Sequence, residues 1–162
     1  MAVSETREDS RSAADAATML IDTDIHERLT DKEQLLPYMS PMWQRYITQY
    51  AGLFPGTQTP NCWPYAGPSP GNARLTWLNE DRSSATDLDT MRRHLFDEEG
   101  VTIGILNGSF YPSSMLGNYE FAQALASAYN DWQIETWLDP EPRLRGSIHV
   151  CAQDPAAAVR EI

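Results

Sequence analysis

Asp22, Asp24 and His26 occupy every second position of the heptapeptide Ile-Asp-Thr-Asp-Ile-His-Glu at 21–27. Ile21, Thr23 and Ile25 alternate with them. A period of two belongs to a β-strand, so the two sets point to opposite faces. Asp24 and His26 then start about 6–7 Å apart on one face, at the carboxyl end of the strand. A carboxylate oxygen and an imidazole nitrogen at that separation can converge on one divalent ion, zinc or manganese by ligand type. A cation would also offset the cost of holding Asp24 as a charge near a core. A structural reading stands beside this one: strand-end acids cap helices, and single histidines hydrogen-bond to neighbouring loops. Two ligands are also fewer than the three that catalytic zinc usually takes from protein.

A second set of residues with chemical potential lies at 54–82. Pro55, Pro60, Pro64, Pro68 and Pro70 fall within this stretch, which excludes a regular element. So long an irregular segment in a compact domain is commonly functional. Trp63 and Tyr65 are the candidates to line a pocket for a planar small-molecule substrate; the plain alternative is that they anchor the loop. Trp77 reads as such an anchor. His149, between Ile148 and Val150, reads as a buried structural residue of a strand. His94, beside Arg92 and Arg93, reads as a solvated helix residue, and Arg143 and Arg145 as ion-pairing residues.

These side chains need elements to hold them. Residues 19–26 form the first strand. Thr30 and Glu33 make a capping box for a short helix. Ser40 and Pro41 open a second helix, which Gly52 stops. Thr86 and Asp89 suggest a cap for a helix whose apolar stripe is Leu88, Met91, Leu95 and Phe96, ended by Gly100. The apolar run at 101–106 lacks alternation and reads as a strand covered on both faces. Asn118 caps a longer helix with Phe121, Leu125, Ala128 and Trp132 inside. Residues 144–151 read as a third strand, and Asp154 with Pro155 opens a last helix. Strand and helix alternate, so the fold class is α/β with a parallel sheet.

Composition narrows the partners. The 162 residues carry 12 basic and 23 acidic side chains, a net charge of -11. Nucleic acid and anionic membranes call for the opposite sign. No stretch approaches the roughly 18 apolar residues of a membrane span. Residues 1–18 are small, polar and unpatterned, so they read as a disordered leader without a secretory core. Cys62 and Cys151 are too few for a disulfide framework and read as reduced thiols of a cytoplasmic protein. No glycine-rich phosphate loop follows a strand, which disfavours a nucleotide-binding module.

Three segments carry a family resemblance: Leu-Ile-Asp-Thr-Asp-Ile-His-Glu at 20–27, Tyr-Asn-Asp-Trp at 129–132, and residues 143–162. Together they resemble the amidohydrolase-related family, in the branch of aminocarboxymuconate-semialdehyde decarboxylase and the resorcylate-type decarboxylases. There the first strand ends in an Asp-x-His-x-His-like signature whose last two polar positions bind metal. A Gln-Asp-Pro-like step follows the third strand, as Gln153, Asp154 and Pro155 stand here. The resemblance spans about residues 19–162 and implies that Asp24 and His26 are metal ligands and that Asp22 is structural. Asp24 departs from the commoner histidine, which moves metal preference towards harder ions.

The fold implied is a (β/α)8 barrel of about 250 residues, longer than the 162 here. The chain is therefore expected to hold the first part of such a barrel, about three βα units. The activity implied is a metal-dependent hydrolase or decarboxylase acting on a small carboxylic acid, cyclic or aromatic. The metal would activate water for hydrolysis or polarise a carboxylate for decarboxylation. The alternative is a catalytically incomplete α/β fragment or interaction module that needs another chain. In either case an unclosed sheet leaves an exposed edge, which promotes pairing between chains. The purified chain is accordingly expected to self-associate or to require a complementary chain. Light scattering coupled to size-exclusion chromatography checks this, and a clean monomer contradicts it.

Overall fold

The computed structural model describes residues 19–27, 29, 32–50, 87–108 and 118–162. The leader expected at 1–18 and the proline-rich loop at 54–82, with Trp63, Tyr65 and Trp77, lie outside the described residues. Strands β1 (Ile21–Ile25), β2 (Ile103–Leu106) and β3 (Leu144–Gly146) form one parallel sheet in the order β1-β2-β3. A 3-10 helix (Lys32–Tyr38) and helix α1 (Pro41–Tyr50) follow β1. Helix α2 (Leu88–Met91) runs into a π-helical turn at Arg92–Glu98 before β2. Helix α3 (Tyr119–Gln133) continues as a π-helical segment, Ile134–Leu138, and leads to β3. Helix α4 (Pro155–Glu161) comes last. Three strands in an open sheet make a mixed α/β arrangement; they are not by themselves a section of a (β/α)8 barrel. No helix among the described residues is long and apolar enough to cross a membrane.

Helix starts follow the capping chemistry of the sequence. Asn118 Oδ1 accepts the Phe121 N–H at 3.0 Å, and Asp154 Oδ1 accepts the Ala157 N–H at 3.0 Å. Pro155 and Pro41 take first-turn positions, where a missing N–H costs no helical hydrogen bond. At α2 the cap differs from the expected Thr86 and Asp89 pair. Asp87 stands at the cap, and its Oδ1 accepts the Thr90 N–H at 2.8 Å.

The core lies on one face of the sheet. Ile25, Leu106 and Leu144 point into it, with Phe121, Leu125, Ala128 and Trp132 from α3. Leu106 and Leu125 are 0 % exposed, and burying a leucine contributes about 1.5–3 kcal/mol. Gly104 leaves the space that two of these side chains fill. A Cβ there would lie 2.6 Å from Ile25 Cδ1 and 3.0 Å from Leu144 Cδ2. The 3-10 helix packs on α3, and Tyr38 Oη donates to Glu135 Oε2 at 2.8 Å. Trp43 and Tyr46 of α1 meet the Phe121 ring at centroid distances of 5.1 and 4.9 Å.

Three expectations are corrected. Ile103 and Ile105, on the other face of β2, are half-buried, so this apolar run is fully covered on one face only. β3 stops at Gly146, short of the expected 144–151. His149 finds its backbone partners in a side chain: Asn130 Nδ2 donates to its C=O and Asn130 Oδ1 accepts its N–H, both at 2.8 Å. With both groups taken by α3, no strand ladder extends that far, and Ile148 turns outward at 55 % exposure. His94 is buried, not solvated. The π-helical turn holds an extra residue, so His94, Leu95 and Phe96 all reach the core side.

The arginines settle around Glu141, which is 3 % exposed. Its carboxylate accepts Arg143 Nε at 2.8 Å, Arg143 Nη2 at 2.9 Å and Arg92 Nε at 2.9 Å. The Arg143 guanidinium lies 4.0 Å over the Phe96 ring. Arg145 instead donates to the carbonyls of Pro142 and Leu144. Hydrogen bonds from Arg143, and then from Arg92, overcome burial and pull the Glu141 carboxyl from its usual 4.5 down to about 2. A depressed carboxyl stabilises the fold fully above its unfolded value. That contribution is lost as pH falls from about 4.5 through about 2. Glu141→Gln is therefore expected to lower the urea midpoint at pH 6–7, with the gap from wild type closing across that window. A gap of constant size down to pH 2 contradicts the assignment.

Candidate functional site

The ends of the three strands bring the polar residues together. Ile21 pairs with Ile103, Asp22 with Gly104 and Ile25 with Leu106, so β1 carries one residue more than β2 between the last two pairs. This is a β-bulge. Asp22 shapes it locally, its Oδ1 accepting the Asp24 N–H at 3.0 Å. The strict alternation expected for this strand is broken at the bulge, because the extra residue resets the phase. Beyond it Ile25 points into the core, and Asp24 and His26 share the opposite face.

Asp24 and His26 meet there. His26 Nε2 lies 3.2 Å from Asp24 Oδ1, with the Asp24 side chain 79 % exposed and that of His26 26 %. The other ring nitrogen is more tightly held, with Nδ1 2.6 Å from the Gly108 carbonyl oxygen. A carbonyl only accepts, so the network assigns a proton to Nδ1. In neutral imidazole Nε2 is then a lone pair facing a carboxylate oxygen. That contact is favourable only with a positive centre: a second proton on the ring, or a cation between the two atoms. As an exposed ion pair it would contribute about 0–1 kcal/mol, too little to explain the arrangement by stability.

Two further strand-end residues join the pair. Asn107 Nδ2 donates to the Thr23 carbonyl at 2.8 Å and to Asp24 Oδ1 at 3.2 Å. Ser147 Oγ donates to Asn107 Oδ1 at 2.9 Å, which fixes the orientation of that amide. The loop at 107–114 follows the second strand and by topology is expected to border substrate at the catalytic end, which takes in Asn107; Ser147 falls in the expected third strand and was missed. Their signal was position alone, each standing one residue beyond its strand.

Behind this rim lies Glu27, the last residue of the opening heptapeptide and 0 % exposed. Its Oε2 accepts the Gly108 N–H at 3.0 Å. Its Oε1 accepts Tyr129 Oη–H at 2.9 Å and Gln133 Nε2–H at 2.5 Å. Gly108 has φ +67°, a left-handed conformation that favours glycine. A Cβ there would lie 2.5 Å from His149 Nε2 and 2.9 Å from Tyr129 Oη. His149 therefore sits on the core side of Gly108, its ring centroid 4.5 Å from that of Tyr129 and tilted 55° to it, and does not join Asp24 and His26. Among the described residues no group of three or more His, Cys, Asp or Glu side chains is arranged to hold a metal ion.

No protein-family model matches this chain, and no curated protein sequence matches it either.

The turn at Gly108 yields a direct test. Gly108→Ala places a side chain in a left-handed conformation and against two ring atoms. A stability loss of at least about 1–2 kcal/mol is expected in urea titration, with the slope unchanged. An unaltered midpoint contradicts the described turn.

Proposed function

We propose that Asp24 and His26 are two ligands of a divalent metal ion, zinc or manganese, in an amidohydrolase-type enzyme. Its reaction is metal-dependent hydrolysis or decarboxylation of a small carboxylic acid, cyclic or aromatic. The observation that carries this is the approach of Nε2 to Oδ1 at 3.2 Å, with the ring proton committed to Gly108 on the other side. That span fits two metal bonds of about 2.0–2.1 Å meeting at roughly 100°, near the tetrahedral preference of zinc. The Nδ1–H···O=C bond is the outer contact that metal-bound histidines commonly make. The donor set therefore suits the ion.

The place in the fold also supports this reading. Asp24, His26, Asn107 and Ser147 gather where parallel α/β proteins assemble their sites, at the carboxyl ends of the strands. The sequential strand order is that of a (β/α)8 barrel's first units. A divalent ion held there supplies Lewis acidity towards a carbonyl or carboxylate oxygen. Asn107 holds Asp24 Oδ1 towards His26, and Gly108 keeps Nε2 turned to the same point. Trp63 and Tyr65 remain the proposed lining for the substrate.

A second reading has one observation in its favour. Among the described residues the sheet ends in β1 on one side and β3 on the other, edges that suit pairing with a further strand. The chain is then an α/β fragment or interaction module that works with another chain.

Metal analysis of purified protein tests the proposal. After equilibration with zinc or manganese and desalting, the wild type is expected to retain metal. Asp24→Ala and His26→Ala are expected to lose at least tenfold in affinity, with unchanged circular dichroism. Equal, negligible metal in all three overturns the reading for this chain.

A further inference from the structure

Glu27 is spent on something other than the ion. It follows His26 directly, so strand alternation turns it to the opposite face, into the core. A leucine or methionine there would suit the apolar surroundings without the desolvation a carboxylate incurs. Gly108 N–H, Tyr129 Oη–H and Gln133 Nε2–H, three neutral donors among the described residues, hold it. Two of them come from α3, which anchors the carboxylate. The third is the backbone of the residue whose carbonyl receives the His26 ring proton.

Gly108 is the joint in this chain of contacts. Glycine visits left-handed and right-handed conformations with similar ease, so its carbonyl has no fixed direction of its own. Glu27 Oε2 pins the N–H side of Gly108, and His149 and Tyr129 crowd the position a Cβ would take. With the N–H held and φ at +67°, the carbonyl is left facing His26 Nδ1.

We propose that Glu27 is a positioning residue: through Gly108 it sets the tautomer and ring direction of His26, so that Nε2 faces Asp24. The functional consequence rests on the reading of His26 as a metal ligand; the tautomer does not. A carboxylate that merely fastened β1 to α3 would leave the state of the His26 ring unchanged when replaced.

The test is nitrogen-15 NMR of the His26 imidazole in the full, metal-free chain at about pH 8.5, where unperturbed histidine is neutral. The wild type is expected to show a protonated Nδ1 and a Gly108 amide slow to exchange. In Glu27→Gln the new amide must turn its NH2 towards at least one existing donor. The Nδ1 resonance is expected to move towards that of an exchanging tautomer mixture, and the Gly108 amide to lose protection at least tenfold. The double variant Glu27→Gln/Gln133→Glu places a carboxylate on α3 and lets the amide carbonyl at 27 face Gly108. It again offers an acceptor to the Gly108 N–H and is expected to restore the His26 signature.

A wild type with Nδ1 unprotonated overturns the proposal, as does a folded Glu27→Gln with the wild-type ring spectrum. If that single variant does not fold, the double variant decides: a folded double variant lacking the wild-type signature overturns the proposal, as does one that does not fold. Zinc affinity adds an independent reading, with a loss of about 10–100-fold expected in Glu27→Gln. A wild type that binds no zinc yet shows the protonated Nδ1 and its loss in Glu27→Gln sinks the metal reading and leaves this one standing.

Discussion

A carboxylate shut away from water holds the centre of this structure. Glu27 joins three pieces of chain: the end of β1, the turn after β2, and the inner face of α3. Removing such a charge from water costs several kcal/mol, and each hydrogen bond to a charged group returns about 1.5–3 kcal/mol. Three of them from fixed donors are of the right order to offset the cost. Any shift of α3 along the sheet would strand the charge. The fold is thus locked in register at the point where its strand-end residues must be placed.

The contrast with Asp24 is instructive. Two carboxylates three residues apart have opposite surroundings, one 0 % exposed against α3 and the turn at Gly108 and the other 79 % exposed beside an imidazole. Beyond the bulge in β1 the alternation is regular, so Ile25 and Glu27 turn inward and Asp24 and His26 outward. The inward pair serves packing and position. The outward pair lies at the sheet's rim, and its hydrogen bonds extend across the sheet through Asn107 and Ser147.

Much of the scaffold was legible because its signals are local. Asn118 and Asp154 cap helices by short-range geometry, and the Phe121, Leu125, Ala128 and Trp132 stripe follows helical period. The shared face of Asp24 and His26 also follows from a period of two. What escaped was non-local. Asn130 captures the backbone of His149 and so shortens β3, an effect no strand propensity encodes. A π-helical turn buries His94 against the reading its arginine neighbours invite. Glu27 stood in plain view, but its burial depends on Tyr129 and Gln133, about a hundred residues away in sequence. The amidohydrolase resemblance supplied ligand positions and a barrel. The open sheet of three strands brings Asp24 and His26 together at its rim; the metal and the barrel remain proposals.

The account stands on Asp24 and His26 acting on a single cation. An anomalous difference map from crystals grown with manganese or zinc measures that most directly. The account predicts one peak about 2.0–2.2 Å from both Asp24 Oδ1 and His26 Nε2, with Nδ1 still directed at the Gly108 carbonyl. A map without density between the two side chains, while they keep their described positions at millimolar metal, would contradict it.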